Sequence, residues 1–254
     1  PSCVPATQLE TAGAELGTKE LRVALRWKNV IGLGELMNFP GVLMRDREVV
    51  KKVKLAQGKV IDGHAPRVSG KDLNAYLTVG ASSDHESTTL EEGREKLRRG
   101  MYLMIREGSS EKNLDELLPL VTDKTYKRCL FVTDDRTCVD LLKEGDIDAV
   151  VRKAISRGLN PIRAIQMATI NTAEHFRLSK VGEVTPGYVA NLIVIDDLSR
   201  LSVDMVFHRG KLVAQDGKAL LSPVWRSDPE ITHSVNIKPF AIEALKIPAS
   251  RKNL

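Results

Sequence analysis

Acidic and imidazole side chains follow short apolar runs at four places in this sequence. They are Glu35, His64, the adjacent His85 and Glu86, and Asp134. Imidazole nitrogens and carboxylate oxygens together suit Zn²⁺, Fe²⁺ or Mn²⁺. The pattern therefore predicts a polar, metal-binding site, provided that the fold brings these distant residues together.

Each of these residues also has a purely structural interpretation. Glu35 could cap the following helix, because carboxylates favour helix N-termini. His64 lies in a turn-like stretch and could be a loop hydrogen-bonding group, while residues 84–86 could form a solvated loop. Asp134 could begin a helix. Four such endings on four strands of one sheet are harder to explain in this way, so we favour the shared site.

The segments that must position these residues alternate between apolar runs and charged stretches with helical spacing. The predicted strands lie at residues 29–33, 59–61, 74–79, 101–105 and 129–132. The predicted helices lie at residues 46–57, 89–100, 114–120, 138–144, 148–157 and 161–167. Strands that alternate with helices predict βα units and a parallel sheet. In an α/β barrel the C-terminal ends of the strands share one face, which holds the active site.

The pattern changes after Phe176. Residues 181–184 and 190–195 are strand-like, and residues 203–208 and 211–214 flank Arg209-Gly210, which predicts a tight hairpin. From Ser222 onward the chain has four prolines and no clear period. We therefore expect three parts: an α/β part at residues 1–180, a small β module at 181–220 and an extended tail at 221–254.

Composition narrows the class of protein. The 254 residues are 42% hydrophobic and 28% charged, which is ordinary for a globular chain with a core, and no apolar run approaches the ~20 residues of a membrane span. The net charge is +5, but the basic residues are scattered and aromatic residues are only 4%, which argues against a nucleic-acid partner. Three widely spaced cysteines without a CxxC pair predict a reducing, cytoplasmic setting.

Seven stretches of the sequence resemble the amidohydrolase superfamily and, within it, the adenine deaminases of bacteria and archaea. They are GLGELMNFPGV (32–42), DGHAP (62–66), SGKDLNAY (69–76), SSDHESTT (82–89), LRRGMYLMIREGS (97–109), TDDR (133–136) and IQMATINTAEHF (165–176). The resemblance extends to about Pro239. It departs from the family pattern at Arg67, where a small residue is common, and at Asn191, where Asp is common.

The resemblance implies a fold and an activity. The fold is an α/β (β/α)8 barrel of the metal-dependent hydrolase type, incomplete here with about strands 3 to 8, followed by strands of a small β-sandwich domain. The activity is the hydrolytic deamination of adenine to hypoxanthine and ammonia. The cofactor is a binuclear divalent metal centre, with Mn²⁺ or Fe²⁺ favoured and Zn²⁺ as the alternative.

The resemblance also implies a role for each candidate residue. Glu35 matches a carboxylate that bridges or supports the two metals, and His64 and His85 match imidazole ligands. Asp134 matches a metal-binding aspartate that receives the proton of the attacking water. Glu86 matches the acid that carries a proton to the purine ring. The candidates for contact with the substrate are Asn38, Asp84, Arg106 and Asp135.

One family motif is absent. The first barrel strand of the superfamily ends in a His-x-His pair, and no such pair occurs here. Residues 1–7 resemble the end of the third strand instead, so we expect this chain to begin inside the barrel. The missing ligands would then come from an upstream part or another chain, and we predict that the isolated 254 residues catalyse poorly. A homo-oligomer is the other expected assembly.

Several alternatives remain open from the sequence. The chain could hydrolyse another substrate, such as a cyclic amide, or it could be an inactive relative of the same fold. Arg106 and Glu107 could form a buried pair at the barrel mouth or contact substrate. The remaining histidines, His175, His208 and His233, are expected not to bind metal.

Overall fold

The computed structural model describes residues 6, 10, 12–222, 224, 228, 232 and 236–247. The predicted end of the third barrel strand, at residues 1–7, lies outside the described residues except for Ala6. His233 lies outside them as well.

Ten α-helices, three 3-10 helices and nine strands are found in the described part of the chain. The α-helices are α1 (Thr18–Ala24), α2 (Phe39–Leu43), α3 (Arg47–Leu55), α4 (Gly70–Thr78), α5 (Leu90–Arg98), α6 (Leu114–Leu117), α7 (Cys138–Lys143), α8 (Ile147–Ser156), α9 (Pro161–Ala168) and α10 (Ile170–His175). The strands are β1 (Gly32–Leu36), β2 (Val60–Gly63), β3 (Ser83–Asp84), β4 (Tyr102–Arg106), β5 (Cys129–Val132), β6 (Leu192–Ile195), β7 (Val203–His208), β8 (Lys211–Gln215) and β9 (Lys218–Ala219).

The first five strands run parallel and follow one another in chain order. Strand β1 pairs with β2, and β3, β4 and β5 pair in sequence. A parallel bridge between Ile61 and Ala81 links the two groups. The parallel α/β architecture is therefore confirmed, although the strands of the described residues form an open sheet and do not close into a barrel.

The third strand was predicted in the wrong place. Residues 74–78 belong to helix α4 and Val79 is its C-cap, because Leu73 and Tyr76 are three residues apart and both are buried on one side of that helix. Gly80, with φ at +99°, follows the end of the helix. The strand itself is the two-residue β3, which is too short to show a periodic pattern. The first strand lies three residues later than predicted, which places Glu35 within β1.

Two apolar cores pack the helices against the outer face of the parallel sheet. The first core joins helices α1, α3 and α4 to β1 and β2, with Leu33, Val53 and Leu73 among its members. The second joins α6, α8 and α9 to β4 and β5, with Leu103 and Met167 among its members. These helices cover the face of the sheet and not the C-terminal ends of its strands, so a site can form at those ends.

The C-terminal strands form one antiparallel sheet in the order β6-β7-β8-β9. Arg209 and Gly210 have φ values of 50° and 77°, which gives the tight hairpin predicted between β7 and β8. Residues 181–184 were expected to be a strand, but they are irregular, and Gly182 takes a positive φ of 94°. Among the described residues this C-terminal part forms one antiparallel sheet, and its place in a β-sandwich domain stays a prediction.

The predicted tail is only partly described. It includes a 3-10 helix at Ile242–Leu245, whose residues are exposed. None of the helices in the described ranges combines the length and the apolar character needed to cross a membrane.

Candidate metal centre and active site

All five predicted site residues lie at the C-terminal ends of the parallel strands. Glu35 is the second-to-last residue of β1, and His64 directly follows β2. His85 and Glu86 directly follow β3, and Asp134 lies two residues after β5. Because parallel strands present these ends at one edge of the sheet, residues that are distant in sequence converge.

Glu35 joins the two imidazoles. Nδ1 of His64 lies 2.7 Å from Oε2 of Glu35, and Nε2 of His85 lies 3.0 Å from the same oxygen. The two rings pack edge to face with their centroids 5.3 Å apart. One ligand atom from each of these three residues lies within 4.8 Å of the others, as does one from each of His85, Glu86 and Asp134. The two groups share His85.

The contacts of Glu35 set the electrostatics of this group. Its hydrogen bonds with His64 and then His85 hold the pKa of the Glu35 carboxyl well below its usual range. Burial by itself lowers the pKa of His85, but the hydrogen bond to Glu35 and the nearby carboxylates raise it above its usual value. The site therefore stabilises a carboxylate facing two imidazole nitrogens, which is a donor set suited to a cation.

Arg106 connects the two other carboxylates. Its Nη1 donates hydrogen bonds to Oε1 of Glu86 and, at 2.9 Å, to Oδ2 of Asp134. Oε1 of Glu86 also lies 3.6 Å from Nδ1 of His64 and 3.5 Å from Nε2 of His85. A single buried guanidinium thus holds acids from two different strand ends beside the imidazoles.

The suggested pair between Arg106 and Glu107 is not formed. Consecutive residues of a strand point to opposite faces, so Arg106 faces the site while Glu107 faces the helices. There Glu107 accepts a hydrogen bond from Lys153 at 2.6 Å.

A cavity of about 330 Å³ opens beside these residues, within the usual range for small-molecule sites. Its polar lining includes Glu35, His85 and Asp134. Its apolar lining includes Met104, Val132 and Phe176. The cavity therefore offers both charged groups and an apolar wall for a planar ring.

Asp62 also lines this cavity, and sequence reasoning missed it. Burial raises the pKa of its carboxyl, even though the hydroxyl of Ser83 donates a hydrogen bond to it. Asp62 lies two residues before His64, and residues at this spacing share one face of a strand. That alternation was the signal that could have found it. Phe176 gave no comparable signal, because it lies outside the strands.

One of the four residues predicted to contact substrate is placed elsewhere. Asp84 is fully buried, and its carboxylate accepts hydrogen bonds from the backbone N–H of Ala65 and from Lys96. Its position next to His85 suggested the cavity, but alternation along the strand turns its side chain toward Lys96, and contact of Asp84 with a substrate stays a prediction.

The other three have defined partners. Asn38 accepts a hydrogen bond from the N–H of Gly41 at 2.9 Å and so caps α2, the role considered for Glu35. Asp135 accepts hydrogen bonds from the N–H groups of Ser109 and Ser110 at 3.1 and 2.7 Å. Contact of Asn38, Arg106 and Asp135 with a substrate stays a prediction.

The histidines outside the site have other environments. His175 is buried between the rings of Tyr102 and Phe176, with centroid distances of 4.5 and 4.6 Å. His208 is exposed at the β7–β8 hairpin. Neither belongs to a potential metal-binding group among the described residues.

Known proteins resemble this chain over most of its length. The model of the amidohydrolase family matches residues 1–213. An adenine deaminase of Dehalococcoides mccartyi is 62% identical over 250 residues, which are 98% of this chain and 44% of that protein. Adenine deaminase 2 of Carboxydothermus hydrogenoformans is 51% identical over 249 residues, with the same shares covered. The chain thus spans less than half the length of these relatives, in agreement with the predicted match to part of such a protein.

The fold also resembles solved structures. The β-aspartyl dipeptidase of Fervidobacterium islandicum AW-1, solved with a bound β-Asp-Leu dipeptide, superposes with a TM-score of 0.60 at 16% identity. The match covers 80% of this chain and 63% of that one. At this identity the likeness concerns the fold alone.

Proposed function

This chain belongs to the amidohydrolase family, and we propose that its site serves the hydrolytic deamination of adenine to hypoxanthine and ammonia. The observation that carries the proposal is the convergence of Glu35, His64, His85 and Glu86 beside one cavity. It occurs in a chain that is 62% identical to a protein named adenine deaminase. The same geometry supports a hydrolytic enzyme better than an inert relative, because the charged groups of the site are retained together.

The donor set fits divalent metal ions. Two imidazole nitrogens and a carboxylate oxygen lie within 4.8 Å of one another, and a second group of three shares His85. We assign Glu35, His64, His85 and Asp134 as ligands of a binuclear centre, with Mn²⁺ or Fe²⁺ favoured over Zn²⁺. When bound, such ions lower the pKa of water and so supply a nucleophile at neutral pH.

The chain's own residues then move the protons. Asp134 accepts a proton from the attacking water, whose oxygen adds to C6 of adenine. Protonated Glu86 donates its proton to a ring nitrogen, because an adenine ring is a poor electrophile until it is protonated. The resulting carboxylate takes the proton of the hydroxyl added at C6 and passes it to the leaving amino group, and the proton held by Asp134 restores the acid form of Glu86. The C6–N6 bond breaks, ammonia leaves, and hypoxanthine remains. Arg106, bound to both carboxylates, holds them in place for these transfers.

The apolar lining supports this assignment of the substrate. Met104, Val132 and Phe176 give the cavity a surface that can contact the faces of a neutral purine and exclude water from it.

The assembly is part of the same proposal. Since the chain spans 44% of the relatives' length, we propose that the portion it does not match supplies the His-x-His ligands, in the same protein or from another chain.

Ammonia release tests the proposal. The chain is mixed with Mn²⁺ and with the portion of the D. mccartyi relative that it does not match, and is given adenine, cytosine or dihydroorotate. We expect the complemented chain to release ammonia from adenine but not from cytosine or dihydroorotate. The chain without its complement is expected to release little ammonia. A complemented sample that binds Mn²⁺ but acts on cytosine or dihydroorotate in preference to adenine would contradict the assignment. Ordinary turnover by the isolated chain would contradict the need for a complement.

A further inference from the structure

Two fully buried polar side chains lie behind the candidate metal ligands. Tyr76 is on α4 and Lys96 is on α5, and each has an exposed fraction of 0%. Neither lines the cavity beside Glu35. Burying a polar group is unfavourable unless its hydrogen bonds are satisfied, so the partners of these two side chains indicate what they do.

The Tyr76 hydroxyl joins the ends of the first two parallel strands. It accepts a hydrogen bond from the backbone N–H of His64 at 2.9 Å and donates one to the backbone carbonyl of Leu36 at 2.8 Å. Leu36 directly follows Glu35. One hydroxyl thereby fixes the distance between the backbones that carry two of the candidate ligands.

The Lys96 ammonium joins the end of β2 to the end of β3. Its Nζ donates to the carbonyl of Ala65 at 2.8 Å and to Oδ2 of Asp84 at 2.7 Å. It also contacts the hydroxyl of Ser87 at 3.1 Å and Oε1 of Glu92 at 2.8 Å. Ala65 directly follows His64, so the ammonium links the loop after β2 to the loop after β3.

Asp84 completes this connection. One of its oxygens accepts from the N–H of Ala65 at 2.8 Å, and the other accepts from the N–H of Glu86 at 3.1 Å. His85 lies between Asp84 and Glu86 in the chain. The backbone on both sides of His85 is therefore tied to the backbone that carries His64.

We infer that Tyr76 and Lys96 are positioning residues that set the spacing of Glu35, His64 and His85 for metal binding. The inference rests on the metal-binding role given to those three residues in the proposed function. A buried lysine–carboxylate pair contributes little stability compared with apolar packing, so its place against the ligand-bearing loops is better explained by positioning. Groups that orient metal ligands typically change metal affinity 10- to 100-fold when removed.

Mn²⁺ titration of the chain carrying Tyr76→Phe tests the inference, because this change removes only the hydroxyl. We expect Kd for Mn²⁺ to rise at least tenfold, while Tyr126→Phe, on the 3-10 helix Tyr126–Arg128, leaves it unchanged. Thermal unfolding of both variants without metal is measured in parallel, to confirm that each is folded at the temperature of the titration. A folded Tyr76→Phe variant with the wild-type Kd overturns the inference.

A double variant tests the positioning role of the Lys96 ammonium. Asp84→Asn with Lys96→Met removes both charges, so neither is left buried alone, and Lys153→Met is the control for loss of a lysine on α8. We expect the double variant to bind Mn²⁺ at least tenfold more weakly and the control to match the wild type. If the double variant does not fold, Tyr76→Phe decides the matter. If the wild type binds Mn²⁺ and the variants bind it weakly, but the complemented wild type deaminates no adenine, the positioning role stands and the proposed function falls.

Discussion

Glu86 both carries the proposed proton and contacts the charged groups of the site. Its carboxylate contacts Arg106 and lies 3.5–3.6 Å from both imidazoles. Glutamine has nearly the same shape and can still accept a hydrogen bond from Arg106, but it cannot deliver a proton. Glu86→Gln therefore separates proton transfer from the architecture around it.

In the sample complemented with the portion of the D. mccartyi relative that the chain does not match, we expect Glu86→Gln to lower kcat for adenine by roughly 10²–10⁴-fold, the usual contribution of a general acid or base. Metal content, measured by elemental analysis of the same sample, is expected to stay at the wild-type value. The control is Glu111→Gln, because Glu111 also contacts Arg106, at 3.7 Å, but is largely exposed. Near-normal turnover by Glu86→Gln shows that another group carries the proton.

His64 tests the metal centre itself. Its Nδ1 faces Glu35 at 2.7 Å, so removing the imidazole deletes one of the three donors of the first group. We expect His64→Ala to lose most of its bound Mn²⁺, as seen by elemental analysis and by titration. His208→Ala changes an exposed histidine at the hairpin and is expected to keep the metal. Equal metal content in the two variants would remove His64 from the ligand set.

At the scale of elements, the site depends on how closely β2 approaches β3. A Cβ atom on Gly63 would lie 2.0 Å from the backbone carbonyl oxygen of Ser83. No ordinary side chain fits there without moving one strand. The glycine between Asp62 and His64 therefore allows the close approach that brings His64 and His85 together.

Gly63→Ala is expected to lower the free energy of unfolding by about 1–3 kcal/mol, the usual cost of overpacking, and to weaken Mn²⁺ binding. Chemical denaturation and metal titration measure the two effects. Gly17→Ala is the matched control, because its Cβ would meet only the carboxylate at the far end of the Glu20 side chain, at 2.9 Å. If Gly63→Ala has the stability and Mn²⁺ affinity of the control, the close approach does not govern the site.

Helices could be predicted from the sequence better than strands. The helices α3 and α5 were placed to within about two residues, because amphipathic spacing and the caps Asp46 and Thr89 are local signals. The strand β3 has only two residues, Ser83 and Asp84, and neither is apolar, so it gives no strand pattern. The apolar residues that suggested a strand lie at the end of the neighbouring helix α4. Strand pairing depends on partners that are distant in sequence.

The site was predictable to the extent that its residues follow their own strands. Glu35, His64 and His85 directly follow or end apolar runs, and parallel topology then brings them to one edge. Lys96 was not predictable, because it occurs in a highly charged helix that has the composition of a solvated one. Its burial results from Asp84 and Ala65, which approach only in the folded chain.

At the scale of the whole molecule, His175 links the last helix of the α/β part to the sheet. It ends α10 and packs on Tyr102, the first residue of β4, and its Nε2 is buried without a hydrogen-bond partner among the described residues. Burial, reinforced by the positive charge of Arg177, lowers the pKa of His175 from 6.5 to about 4. The folded chain therefore holds this imidazole neutral at pH values where the unfolded chain binds a proton.

This difference makes the stability of the chain depend on pH in a defined direction. Above pH 6.5 neither state is protonated, and the full stability is present; between pH 6.5 and 4 the unfolded state gains a proton and stability falls. At about 1.4 kcal/mol per pKa unit, the loss at pH 4 is about 2–3 kcal/mol.

Urea denaturation of the wild type and of His175→Phe, at pH values from 7.5 to 4, measures this contribution. The variant has no imidazole at this position, so the other titrating groups largely cancel in the difference between the two free energies of unfolding. We expect the wild type to lose about 2–3 kcal/mol relative to the variant over this range, with most of the change below pH 6.5. A difference that stays constant with pH means that His175 takes up its proton equally well in the folded and unfolded chains, and that its burial against Tyr102 does not control the acid stability of the molecule.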